Sequence, residues 1–140
     1  MSWLKAILTH VRGDRPVGEH IRLGRAGEQQ AVRFLKGKGY RIVTTNYRCA
    51  DGEIDIIALD GSTIVFAEVK TRTDRIHADP QDAVTADKQH RIMAATRTFL
   101  RQTRSQGRIF RFDIVAVIWS TVGSVQVEHH ANAFSPAHRS

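Results

Sequence analysis

Asp55, Glu68 and Lys70 are spaced so that a hairpin would bring them together. They lie on two apolar, β-branched runs, Gly52-Glu53-Ile54-Asp55-Ile56-Ile57-Ala58-Leu59 and Thr63-Ile64-Val65-Phe66-Ala67-Glu68-Val69-Lys70. The Asp60-Gly61 pair between them is a hairpin signal. Side chains alternate along a strand, so Glu68 and Lys70 share a face. A four-residue loop sets Asp55 opposite Glu68, a two-residue loop sets them on a diagonal, and a three-residue loop separates the faces. Two carboxylates at cross-strand distance repel each other. A hard divalent cation held by oxygens removes that penalty. A lysine two residues beyond the second acid can hold or activate a water, or steady a phosphoryl oxygen. The structural alternative is a surface ion pair in which Lys70 neutralises Glu68. Asp55, upstream in an apolar strand, favours the metal reading over it.

The elements that must position these residues follow from periodicity. A helix is expected from about Leu23 to Lys38, stopped by Gly39, then a strand from Tyr40 to Tyr47, then the hairpin. Thr73 to Pro80 reads as a loop, Asp82 to Thr103 as a second helix, Phe110 to Trp119 as a fourth strand and Val122 to Glu128 as a fifth. A crossover from the third strand through the second helix to the fourth implies a parallel pair in a mixed sheet. Residues 1–20 form an N-terminal extension, with Trp3, Leu4, Ile7, Leu8 and Val11 on one helical stripe. Residues 21–130 form the main domain, and 131–140 a tail with no clear element.

Further charged residues fall near this frame. Glu28 shares a helix face with Gly24, Ala31, Val32 and Leu35, so it points toward the sheet. A carboxylate there needs a partner or a ligand, unless it serves the helix dipole or pairs with Arg25. Lys88 shares a face with Val84 and Ile92 and reaches over the sheet toward a phosphate, or snorkels to water. Arg97, Arg101, Arg104 and Arg108 recur at helical spacing, which would let the second helix extend. With Arg48, Arg72 and Arg75 they would bind phosphates without reading base sequence, the alternative being a solvated face. Tyr47 reads as a half-buried strand tyrosine rather than a base-stacking platform. Glu53 is a substitute ligand by alternation, and Asp113, in an apolar strand, either pairs with an arginine or supports the site from behind, without a catalytic role.

The whole chain is 140 residues long, with a formal net charge of +7. That length makes one domain with a proper core. The charge favours an anionic partner, nucleic acid before a membrane surface. A single cysteine, Cys49, excludes an internal disulfide and a cysteine metal cluster, and fits a cytoplasmic protein. No apolar run is long enough to span a membrane. No phosphate loop or dinucleotide fingerprint is present, so no nucleotide cofactor is implied. The histidines lack helical metal spacing.

Gly24-Arg25-Ala26-Gly27-Glu28, Asn46-Tyr47-Arg48, Gly52-Glu53-Ile54-Asp55-Ile56-Ile57-Ala58, Phe66-Ala67-Glu68-Val69-Lys70-Thr71-Arg72 and Asn132-Ala133-Phe134 together cover most of the chain. The Asp55…Glu68-x-Lys70 hairpin after a first helix resembles the PD-(D/E)xK nuclease superfamily, and the finer pattern is similar to the YraN-like family of small bacterial proteins. Ile54 stands where the superfamily name has proline. The resemblance implies a restriction-endonuclease-like α/β fold with an αβββαβ core and a mixed β-sheet flanked by helices. It implies Mg²⁺ or Mn²⁺ on Asp55 and Glu68, with Glu28 joining from the first helix and the Val69 carbonyl as an extra ligand. Lys70 would orient the attacking water. DNA, branched DNA in particular, and a homodimer are implied by similarity to junction resolvases. Two other function classes share these features: a nucleic-acid-binding protein without cleavage, and an assembly protein that uses the N-terminal stripe.

Overall fold

The computed structural model of the chain describes residues 19–73 and 84–135, with side chains from residue 24 onward. The N-terminal stripe, Arg75, and Asp82 and Ala83 at the expected start of the second helix lie outside them. Among the described residues seven elements follow in order: α1 (Glu19–Gly37), β1 (Arg41–Cys49), β2 (Gly52–Asp60), β3 (Thr63–Thr73), α2 (Ala86–Gln102), β4 (Phe110–Trp119) and β5 (Val125–Phe134). The strands make one sheet in the order β1-β2-β3-β4-β5, antiparallel throughout except for the parallel β3–β4 pair. This α-β-β-β-α-β-β arrangement agrees with the expected α/β nuclease-like core.

Alternation along the strands divides the core. On β3, Ile64 and Phe66 pack with Phe99 and Ile92 of α2, whereas Val65 and Ala67 pack with Ala31 and Leu35 of α1. The two helices therefore cover opposite faces. Strands buried on both faces read as the continuous apolar runs seen in β2 and β3.

Helix ends are set by local chemistry. α1 stops where Gly39 takes φ +92 and the Tyr40 N–H reaches back to the Leu35 carbonyl at 3.0 Å. α2 starts at Thr85, whose hydroxyl accepts from the Lys88 N–H at 3.2 Å. Its other end corrects the expected extension. The Ser105 N–H bonds the Leu100 carbonyl at 2.8 Å and Arg104 takes φ +50, so the helix closes at Gln102 and Arg108 leaves the stripe.

The C-terminal strand is also longer than its sequence suggested. β5 continues through Ala131 to Phe134, into the stretch expected to be tail. It crosses an irregularity where Asn132 takes φ +52, and Phe134 then stacks on Phe112 with ring centroids 5.2 Å apart. A buried anchor holds that irregularity. Asp113 accepts from the Asn132 N–H at 2.9 Å, from Arg111 Nε at 3.0 Å, and contacts His129 Nε2 at 2.7 Å. Arg111 also reaches Asp60 at 2.9 Å and the Tyr40 hydroxyl at 2.7 Å.

Candidate active site

The β2–β3 register answers the question that the sequence left open. Asp60 pairs with Thr63 and Ile56 with Ala67 across a two-residue turn at Gly61-Ser62, one residue later than Asp60-Gly61. Gly61 opens that turn with φ +59. Continued by one step, this register sets Asp55 across from Glu68, the arrangement expected of the longer loop. The paired ladder ends at Ile56 and Ala67, and the strands part there. Asp55 fills the gap: its Oδ2 accepts the Val69 N–H at 2.8 Å.

Opposite Asp55 on its other side, between the paired positions Thr45–Ile56 and Tyr47–Ile54, Asn46 takes φ +53. Asparagine tolerates this left-handed conformation better than most residues. Its side-chain amide donates to Glu28 Oε2 at 2.9 Å. Glu28 is brought this close because α1 lies tightly on β3: a Cβ built on Gly27 would stand 2.2 Å from Thr71 Oγ1. Neither Asn46 nor its role was apparent from the sequence beyond its place in the Asn46-Tyr47-Arg48 motif.

The electrostatics mark Asp55 and Glu68 as a stressed pair. Glu68 is 4 % exposed. Burial, then the neighbouring Glu68 carboxylate, push the Asp55 carboxyl well above its ordinary range, and Glu28 adds to the effect while the Val69 N–H opposes it. Two lysines balance the charge. Lys88 bonds Glu68 Oε1 directly, and Lys70 Nζ lies 3.7 Å from the same oxygen. Burial, then the Lys88 ammonium, lower the Lys70 pKa despite Glu68. Burial also works against the charge on Lys88, but Glu68 outweighs it and the Lys88 pKa rises.

Among the described residues, no three His, Cys, Asp or Glu side chains form a ready-made metal cage. A Mg²⁺ or Mn²⁺ ion is commonly held by one or two carboxylates, with waters and substrate phosphates completing the shell. The Asp55–Glu68 pair fits that donor set, because both ligands are hard oxygens and their mutual repulsion is what a cation would relieve.

The structure thus gathers Asp55, Glu68, Lys70 and Lys88, with Glu28 at the edge and Arg72 close enough to act on Lys70. Arg48 lines a cavity with Lys88 but is engaged by Glu53 at 3.4 Å across the β1–β2 ladder. Arg97 and Arg101 are exposed further along α2, about 14 and 20 Å from Lys88 at the helical rise, and Arg104 lies beyond the helix end. Tyr47 is 2 % exposed, packs edge-on against Phe99 and donates to Gln102 Oε1 at 2.6 Å. Burial pushes its phenol up to about 12.

The sequence model of the uncharacterised protein family UPF0102 matches residues 27–117, a span that includes Glu28, Asp55, Glu68, Lys70 and Lys88. The chain belongs to this family. It is the same family as the YraN-like proteins whose motifs the sequence carries. The UPF0102 protein of Geotalea daltonii is 46% identical over 116 residues, covering 83% of this chain and 91% of that one. The UPF0102 protein of Geobacter metallireducens is 46% identical over 117 residues, covering 83% and 94%. That of Syntrophus aciditrophicus is 45% identical over 120 residues, covering 86% and 94%. No helix among the described residues is long and apolar enough to cross a membrane.

Proposed function

We propose that this chain is a metal-dependent endonuclease that hydrolyses phosphodiester bonds in DNA. The observation that carries the reading is the β2–β3 register, which sets Asp55 across from the buried Glu68 with Lys70 Nζ 3.7 Å from Glu68 Oε1. Asp55 and Glu68 would hold Mg²⁺ or Mn²⁺, and Glu28 would add negative charge from α1. Bound there, the ion would lower the pKa of a water and offset charge on the phosphoryl oxygens. The Val69 N–H fixes Asp55 Oδ2, so this ligand is oriented before any cation arrives. Lys70 would orient the attacking water or donate to the phosphoryl oxygen on which charge develops. Its low exposure, 15%, keeps competing water away and strengthens that field. The net charge of +7 would draw the DNA backbone to the site. Branched DNA and action as a dimer follow from the likeness to resolvases and are the substrate and assembly to test first.

The deciding experiment is cleavage of linear, flapped and four-way DNA in Mn²⁺, beside an Asp55→Ala control. Wild type is expected to cut at least one substrate and the control none. A second reading, nucleic-acid binding without cleavage, draws on the position of Arg97 and Arg101, exposed on α2 away from the carboxylates. It takes over if no substrate is cut in either Mg²⁺ or Mn²⁺ while DNA is still bound.

A further inference from the structure

Lys88 and Lys70 approach the same Glu68 oxygen, but they are held differently. Lys70 lies two residues from Glu68 on β3 and its side chain is 15% exposed. Lys88 arrives from α2, makes the closer contact, and its side chain is 38% exposed. Its backbone is fixed by the Thr85 cap, so only the side chain can swing. It also has somewhere to go. Lys88 lines a cavity of about 550 Å³ between the β1–β2 turn and the start of α2, walled by Arg48 and Arg91 and by the acids Asp51, Glu53 and Asp87.

Charge balance makes Lys88 the residue to move. Around Asp55, three carboxylates, its own and those of Glu68 and Glu28, face two ammoniums, with the Arg72 guanidinium beside Lys70, so the charges balance. A divalent cation on Asp55 and Glu68 would turn that balance into a positive excess. The ammonium bonded to Glu68 would then be repelled by the ion that takes its place. Resting on the metal-binding reading above, we propose that Lys88 is an exchangeable counter-ion. It neutralises Glu68 until a divalent cation binds, and is then released into the cavity, where it takes up a phosphate of the DNA backbone. Metal and DNA would therefore bind cooperatively, each favouring the arrangement in which Lys88 is free.

Amine labelling tests this on the intact chain. Reductive methylation, followed by peptide mass spectrometry, should modify Lys88 about tenfold faster in Mn²⁺ than in chelator, as expected if the paired form dominates without metal. Lys70 should change little. Glu68→Gln should label Lys88 at the fast rate with no metal present. In calorimetry Lys88→Met should bind Mn²⁺ more tightly than wild type, and Lys88→Arg should bind it with near wild-type affinity. If wild type binds Mn²⁺ while Lys88 labelling stays the same, Lys88 is not displaced and this inference falls with the metal site intact. If wild type binds no Mn²⁺, the metal reading itself fails and takes the inference with it.

Discussion

Asp55 Oδ2 accepts the Val69 N–H at 2.8 Å, so one candidate metal ligand is tied to the backbone next to the other, Glu68. The bond holds two like charges together at the point where β2 and β3 separate. Burial and Glu68 disfavour the Asp55 charge there, so this geometry weakens the fold.

Asp55→Asn tests that cost. Asparagine keeps an oxygen for the Val69 N–H and removes the charge that burial and Glu68 disfavour. The Asp55 pKa is raised in the fold, so its contribution favours the folded state below the ordinary value of 3.8 and is lost as pH rises through the folded value. The variant should therefore match wild type near pH 3.8 and become more stable toward neutral pH, by about 1 kcal/mol. Melting curves in chelator across that range provide the check, and coincident curves at all pH values would reject the repulsion.

Lys70→Met keeps the aliphatic stem and removes the charge. The variant should fold and still bind Mn²⁺ and DNA. Its single-turnover cleavage should fall by roughly a hundredfold, the scale of one lost electrostatic stabiliser. Equal rates in both proteins would make Lys70 a structural partner of Glu68.

Arg97→Ala with Arg101→Ala probes the exposed side of α2. If both arginines meet phosphates, the slope of log affinity against log salt should become shallower by about two units, with little change in sequence preference. An unchanged slope would assign these side chains to solvent.

Asp113 is fully buried among partners that carry positive charge or N–H donors. Burial alone would raise its pKa, but the bonds from His129, Arg111 and the Asn132 N–H prevail and lower it. A lowered carboxyl stabilises the fold above its unfolded value of 3.8, and that support is lost as pH falls through the folded value. Asp113→Asn should therefore cost about 3 kcal/mol at neutral pH, with a drop in Tm of about 10 °C. The gap between variant and wild type should close in acid below pH 3.8, as thermal melts would show.

The hairpin and both helices were legible because local patterns specify them: β-branched runs around a turn, and Ala31 and Leu35 one helical turn apart. Where that pattern needed a register, sequence alone left alternatives, and the position of Gly61 in the turn selected one. Other features depend on distant partners. The length of β5 follows from Asp113 reaching Asn132, and the place of Glu28 from Asn46, 18 residues away. The helical spacing of the arginines could not reveal that the Ser105 N–H would close α2 early. The helix face of Lys88 allows either a phosphate or water as its partner, and its bond to Glu68 needs the assembled sheet.

The two acids and their counter-ion also differ in how far along the chain they must search for each other. Asp55 and Glu68 meet within a hairpin, whereas Lys88 joins only when the crossover docks α2 and β4 pairs with β3. Local contacts close faster than distant ones. Folding is then expected to pass through a state in which the carboxylates face each other with Lys88 still absent. Removing one of the two charges should relieve that state, so refolding from denaturant at neutral pH should be faster in Asp55→Asn than in wild type.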